Sequence, residues 1–193
     1  MATLKRGREA VCFGRLAIAR DKGKRPGCPA SPIWIGPAAR KKSTGQQVYE
    51  QFRQRLAAAY DQWGASRGTT PASFFDLMDQ AIEFHSVLER AFPCDSVSGP
   101  FSGKAAVIGY WTALAESWEM LSSKTEAIVS EGDRVVWIGR VHWRHRRTLR
   151  TLETPKIDVW TVWQHRAIRY YEMVDSASYG RAIAAQEESV HQA

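Results

Sequence analysis

A carboxylate stands where an apolar residue belongs in the segment KIDVWTVWQ (156–164). Read as a strand with a period of two, the segment puts Ile157, Val159, Thr161 and Trp163 on one face. Asp158 then shares the other face with Trp160 and Val162. A carboxylate on a buried face must be paired, hydrogen-bonded or protonated, because a bare buried anion is very costly. Asp158 is therefore either the acidic group of a pocket or a structural anchor. His85, in the segment IEFHSVL (82–88), is a second candidate. Histidine changes charge closest to neutral pH, which suits it to proton shuttling. The bland alternative is that His85 and Asp158 bond each other or nearby backbone.

Other constellations carry no chemistry. Gly99 to Ala105 lacks the length and the hydroxyl of a phosphate-binding loop. His142 and His145, three apart on a strand, point to opposite faces and cannot share a metal, so no metal site is expected. Cys94, between Pro93 and Asp95, has no base partner legible in the sequence and reads as structural. The run RHRRTLR (144–150) reads as the charged end of a strand pair, with a docking patch for an acidic partner as the alternative.

The elements that must position these groups begin after a basic tail. The chain of 193 residues carries a net charge of +7. Residues 1–45 hold 11 Lys+Arg against 2 Asp+Glu, and residues 46–193 hold 16 against 18, so +9 and −2 give the total. The charge thus belongs to the tail and is no argument for nucleic-acid binding by the body. The tail is proline- and glycine-rich without periodicity and reads as disordered, although its composition also suits a transit peptide. Three widely spaced cysteines (Cys12, Cys28, Cys94) suggest a reducing compartment. No stretch approaches the roughly 20 apolar residues of a membrane span. A cytoplasmic protein is expected, without nucleic-acid or membrane partners.

Val48, Phe52, Leu56, Tyr60 and Trp63 recur at helical spacing and predict a first helix over 46–63, broken by Ser66-Arg67-Gly68. Thr70 and Pro71 predict the start of a second helix, with Phe74, Phe75, Met78 and Ile82 on its apolar side. A short strand (82–88) and a loop (93–103) lead to a third helix, capped by Ser102, with Val107, Ile108, Trp111 and Leu114 facing inward. Strands follow near 118–130, 134–146, 150–164 and 167–175, with a hairpin at Glu131-Gly132-Asp133 and a short final helix. Helices followed by a strand meander predict an α+β fold, three helices packed on one curved antiparallel sheet.

That order resembles the cone-shaped fold of the nuclear transport factor 2-like superfamily, and within it the SnoaL-like and ketosteroid isomerase-like branch. The aromatic first helix followed by Phe-Phe-Asp-Leu-Met, the start FSGKAAVIGYW (101–111) and the closing YYEMVDSASY (170–179) carry the resemblance. It covers a SnoaL-like cone domain over 46–185, between the basic tail over 1–45 and a C-terminal tail over 186–193. It implies a base at His85, an acidic hydrogen-bond donor at Asp158 and an oxyanion-site tyrosine at Tyr60. A protonated aspartate in such an oxyanion hole is a known feature of the isomerases. The chain departs from them with His85 at the base position and Gln164-His165-Arg166 in place of an Asp-Gly-Lys hairpin.

Two functions follow as expectations. One is a cofactor-independent proton-transfer enzyme, an isomerase, cyclase or hydratase acting on a small apolar carbonyl compound. This reading requires His85 and Asp158 on the same side of the sheet. The other is a non-catalytic ligand-binding or dimerisation module of the same fold, favoured if tryptophans fill the interior. Trp160, Trp111, Trp118 and Trp137 are the expected pocket walls. A homodimer is expected, because three helices cannot cover both faces of such a sheet. Deleting residues 1–45 should leave the melting temperature nearly unchanged. A drop of many degrees would show that Ile33-Trp34-Ile35 docks on the body.

Overall fold

The computed structural model describes residues 44–184. Apart from Thr44 and Gly45, both expected tails lie outside these residues. Helix α1 (Thr44–Ala65) buries Phe52, Leu56, Ala59, Tyr60 and Trp63 on one face. It stops where expected, as the chain turns through Arg67 and Gly68 at φ 52° and 80°, and the Gly68 N–H donates to the Trp63 carbonyl at 2.8 Å.

The second helix is shorter than its apolar spacing predicts. α2 covers only Ala72–Phe75, and Met78 and Ile82 belong instead to strand β1 (Met78–Ser86). Their spacing of four is also a multiple of two, so both stay buried in the strand. The Ala167 N–H donates to the Leu77 carbonyl at 2.8 Å, which draws this segment into the sheet. The expected cap at Ser102 is displaced too. Phe101–Ser102 forms strand β2 against β1, and Gly103, at φ 87°, precedes helix α3 (Lys104–Ser117). Tyr110, not Ile108, joins Val107 and Trp111 on the buried side of α3.

Strands β3 (Trp118–Glu131), β4 (Arg134–His145), β5 (Thr151–Trp163) and β6 (Arg166–Met173) form the meander. Helix α4 (Ser176–Ile183) follows, capped by the Asp175 carboxylate, which accepts from the Ala177 and Ser178 N–H groups. The curved six-stranded sheet runs β2-β1-β6-β5-β4-β3. Its neighbours are antiparallel except β1 and β6, which pair in parallel. The expected hairpin at Glu131–Asp133 is present with Gly132 at φ 55°, and Gln164-His165 turns with both residues at positive φ. The expected α+β class and curved sheet are thus the ones observed.

Strand parity decides what the inner face carries. On β5, Lys156, Asp158, Trp160 and Val162 are buried, and the alternate residues are half-buried or exposed. On β1, Ile82, Phe84 and Ser86 are buried while Glu83 is exposed. The inner face packs against α1 and α3 through one aromatic core. In it Tyr60 stacks on Trp137 with centroids 4.4 Å apart, and Trp160 stacks on Tyr170 at 4.2 Å. Gly139 makes the first stack feasible, because a Cβ there would collide with the Trp137 ring and the Lys124 carbonyl.

Candidate functional site

Six ionisable side chains from two strands and two helices converge on one buried cluster. Trp137 on β4, Asp158 on β5 and Glu172 on β6 stand opposite one another in register, with Ser86 of β1 next in the row. Lys156 lies two residues before Asp158 on the same face, and its long chain brings Nζ back over the carboxylate. The ammonium contacts both Asp158 oxygens, Glu172 Oε2 at 2.9 Å and the Tyr170 hydroxyl at 3.2 Å. Tyr60, from α1, donates to Asp158 Oδ2 at 2.5 Å and accepts from the Trp160 indole N–H at 3.2 Å. Tyr110, from α3, donates to Glu172 Oε2 at 2.9 Å. The Tyr170 hydroxyl lies 3.3 Å from both Asp158 Oδ1 and Glu172 Oε2.

None of this cluster faces bulk water, with Asp158 0 % and Glu172 4 % exposed. Burial pushes the Asp158 carboxyl up, as does Glu172, against the opposing pull of Lys156, and the net shift is upward. Burial alone would lower the Lys156 pKa, but Asp158 and Glu172 outweigh it and raise it. Burial first, and then the carboxylates, hold Tyr60, Tyr110 and Tyr170 well above the ordinary phenol range. Lys156 is thus an ammonium fixed by two acids, not a free amine nucleophile.

A cavity of about 40 Å³ opens beside the cluster, lined by Lys156, Glu172, Tyr110, Trp63, Trp118, Trp143 and aliphatic residues including Val141 and Leu152. It shares Trp63, Leu114, Trp118 and Trp143 with a groove of about 270 Å³ that runs past Arg67, Thr69 and Trp111. The buried indole N–H of Trp63 has no hydrogen-bond partner.

The expected site residues divide between two faces. Tyr60 and Asp158 meet, as a directly bonded pair. His85 does not join them. It pairs with Tyr171, while Phe84 and Ser86 pair with the inward-facing Tyr170 and Glu172. Parity therefore places His85 on the opposite side of the sheet from Asp158, where Nδ1 lies 3.1 Å from Glu89 Oε2. Among the expected pocket tryptophans, Trp118 lines both cavity and groove and Trp111 lines the groove. Trp137 and Trp160 line neither and pack as core around Tyr60 and Tyr170. Lys156, Glu172 and Tyr110 were not anticipated. Their signals were period-two spacing from Asp158 and Tyr170, and a helical turn from Val107. Among the described residues no group of three or more His, Cys, Asp or Glu could hold a metal, and no helix is long and apolar enough to cross a membrane.

The family model of the SnoaL-like domain matches residues 57–171. A nuclear transport factor 2-like protein of unknown function from Burkholderia pseudomallei superposes with a TM-score of 0.59 at 16% identity, covering 69% of this chain and 98% of its own. One from Burkholderia thailandensis gives 0.58 at 22%, covering 69% and 98%. A protein from Jannaschia sp. assigned as a SnoaL-like polyketide cyclase gives 0.57 at 15%, covering 70% and 93%. At these identities the likeness is one of fold. No curated protein matches the chain.

Proposed function

Since the chain belongs to the SnoaL-like domain family, we propose that it is a small-molecule binding domain whose ligand sits on the concave face, between Glu172 and the tryptophans. The observation that carries this reading is the cavity itself, aromatic-walled, with Lys156, Glu172, Tyr110 and Tyr179 among its lining residues. A proton-transfer site built on His85 lacks support, because a base must come within hydrogen-bonding reach of the proton it removes. His85 and Asp158 are separated by the sheet. At about 40 Å³ the cavity takes only a very small ligand, or the tip of one extending into the groove.

A thermal-shift screen of small metabolites tests the reading with Val141→Leu, which adds a methylene to the cavity wall without touching the cluster. At least one compound should raise the melting temperature of the native chain and not that of the variant. Ligands that stabilise both proteins equally would place the binding site elsewhere.

We further propose a homodimer formed through the outer sheet face. Val136, Val159 and Tyr171 stand in register across three strands of that face, with Ile138, Ile157 and Met173 in the next row, and Trp163 is 60% exposed. Light scattering should give twice the 21.8 kDa chain mass. A clean single-chain mass would refute the dimer.

A further inference from the structure

We propose that the cavity is a site for a small primary alkylammonium ion, its nitrogen held by Glu172 and its alkyl end packed against the tryptophan walls. The proposal rests on the reading of the cavity as the ligand site, and it adds the ligand's chemical class.

Asp158 and Glu172 face a single cation, Lys156, so the buried cluster has one more acidic group than basic. The placement of hydrogen bonds says where a second cation belongs. Asp158 Oδ1 is taken by Lys156 and Tyr170, and Oδ2 by Lys156 and Tyr60. Glu172 Oε2 is taken by Lys156 and Tyr110, and shares the single Tyr170 hydroxyl proton with Asp158 Oδ1. Glu172 Oε1 receives no hydrogen bond from the described residues, and Glu172 lines the cavity. A carboxylate oxygen accepts and cannot donate, so its natural partner is a donor, best a charged one.

The walls fit the same ligand. Trp63, Trp118, Trp143 and Tyr110 border the space, and aromatic rings attract an ammonium ion as well as its alkyl group. Size narrows the class. A cavity of about 150 Å³ accommodates benzene, so about 40 Å³ suits a molecule of roughly two heavy atoms. That admits methylammonium and excludes bulky quaternary ions. A neutral alcohol of equal size can donate to Oε1 but leaves the extra acidic charge uncompensated.

Melting of the full chain in methylammonium chloride, against sodium chloride at equal ionic strength and against methanol, tests this. Methylammonium should raise the melting temperature with saturation, and sodium chloride and methanol should not. Glu172→Gln should weaken the effect at least tenfold in concentration. If that variant does not fold, Val141→Leu, which keeps every charge, should abolish the effect. Equal stabilisation by methanol would overturn the cationic class while leaving a neutral small-molecule site intact. No stabilisation by methylammonium, or an undiminished effect in Val141→Leu, would overturn the proposal outright.

Discussion

Lys156→Met should destabilise the domain by about 3–5 kcal/mol, the cost of breaking a buried ion pair from one side. Methionine fills much of the same volume, so the loss is electrostatic. It leaves Asp158 and Glu172 buried, mutually repelling and without their cation. Against a typical total stability of about 5–15 kcal/mol, this is a large fraction. Asp158→Asn should cost less, because Lys156 keeps Glu172 as a one-to-one partner and the Asn Oδ1 can still accept from Tyr60. Replacing Lys156, Asp158 and Glu172 together by apolar residues of similar size, with Tyr60, Tyr110 and Tyr170 changed to Phe, should recover much of the loss, since neither the ions' desolvation cost nor a stranded hydroxyl remains. Urea melts of the four proteins order these effects. If Asp158→Asn proved more damaging than Lys156→Met, the extra acidic charge inferred for the cluster would be wrong.

The second large effect is alkaline unfolding. Tyr60, Tyr110, Tyr170 and Lys156 all have folded-state pKa values raised above their ordinary values of 10.0 and 10.5. For each, the native state keeps a proton that the unfolded chain releases, so its contribution is complete below pH 10 and is lost as pH rises toward the folded value. Each group removes up to about 1.4 kcal/mol per pH unit in that window, and four together about 5 kcal/mol. A cooperative collapse within one or two units above pH 10 is expected. Tyrosinate absorbance from the buried phenols Tyr60, Tyr110, Tyr170 and Tyr179 should appear only with the loss of circular dichroism. Gradual ionisation of all six tyrosines with the fold intact would contradict the buried network. Asp158 acts in the same sense at low pH. Its raised pKa gives a contribution that is full below 3.8 and lost as pH rises through the folded value.

How much of this was legible in the sequence depended on parity. The spacing of Phe52, Leu56, Tyr60 and Trp63 gave the inner face of α1, and alternation in KIDVWTVWQ put Asp158 with Trp160 and Val162. The same alternation contained the exclusion of His85, since Ile82 and Phe84 set the buried face of β1 and leave odd positions outside. Family resemblance pointed the other way. Lys156 is not legible as a buried group because a lysine on a strand ordinarily turns its ammonium to solvent, and only the tertiary fold buries it at 5 % exposure. Glu172 shared the parity of Tyr170, but its proximity to Asp158 depends on the β5–β6 register. A bulge between Thr161 and Val162 shifts that register, and no local pattern reveals it. The switch from α2 to β1 was hidden because a spacing of four satisfies both helix and strand periods.

The face of the sheet that holds the ligand distinguishes an inner Glu172 site from an outer His85 site. A crystal structure of the full chain soaked with the compound that stabilises it most tests this directly. Density should lie inside the sheet's concave face, within hydrogen-bonding distance of Glu172 Oε1 and bordered by Trp63, Trp118 and Trp143. Density on the outer face beside His85 and Tyr171, with the inner cavity unchanged, would contradict the inner site.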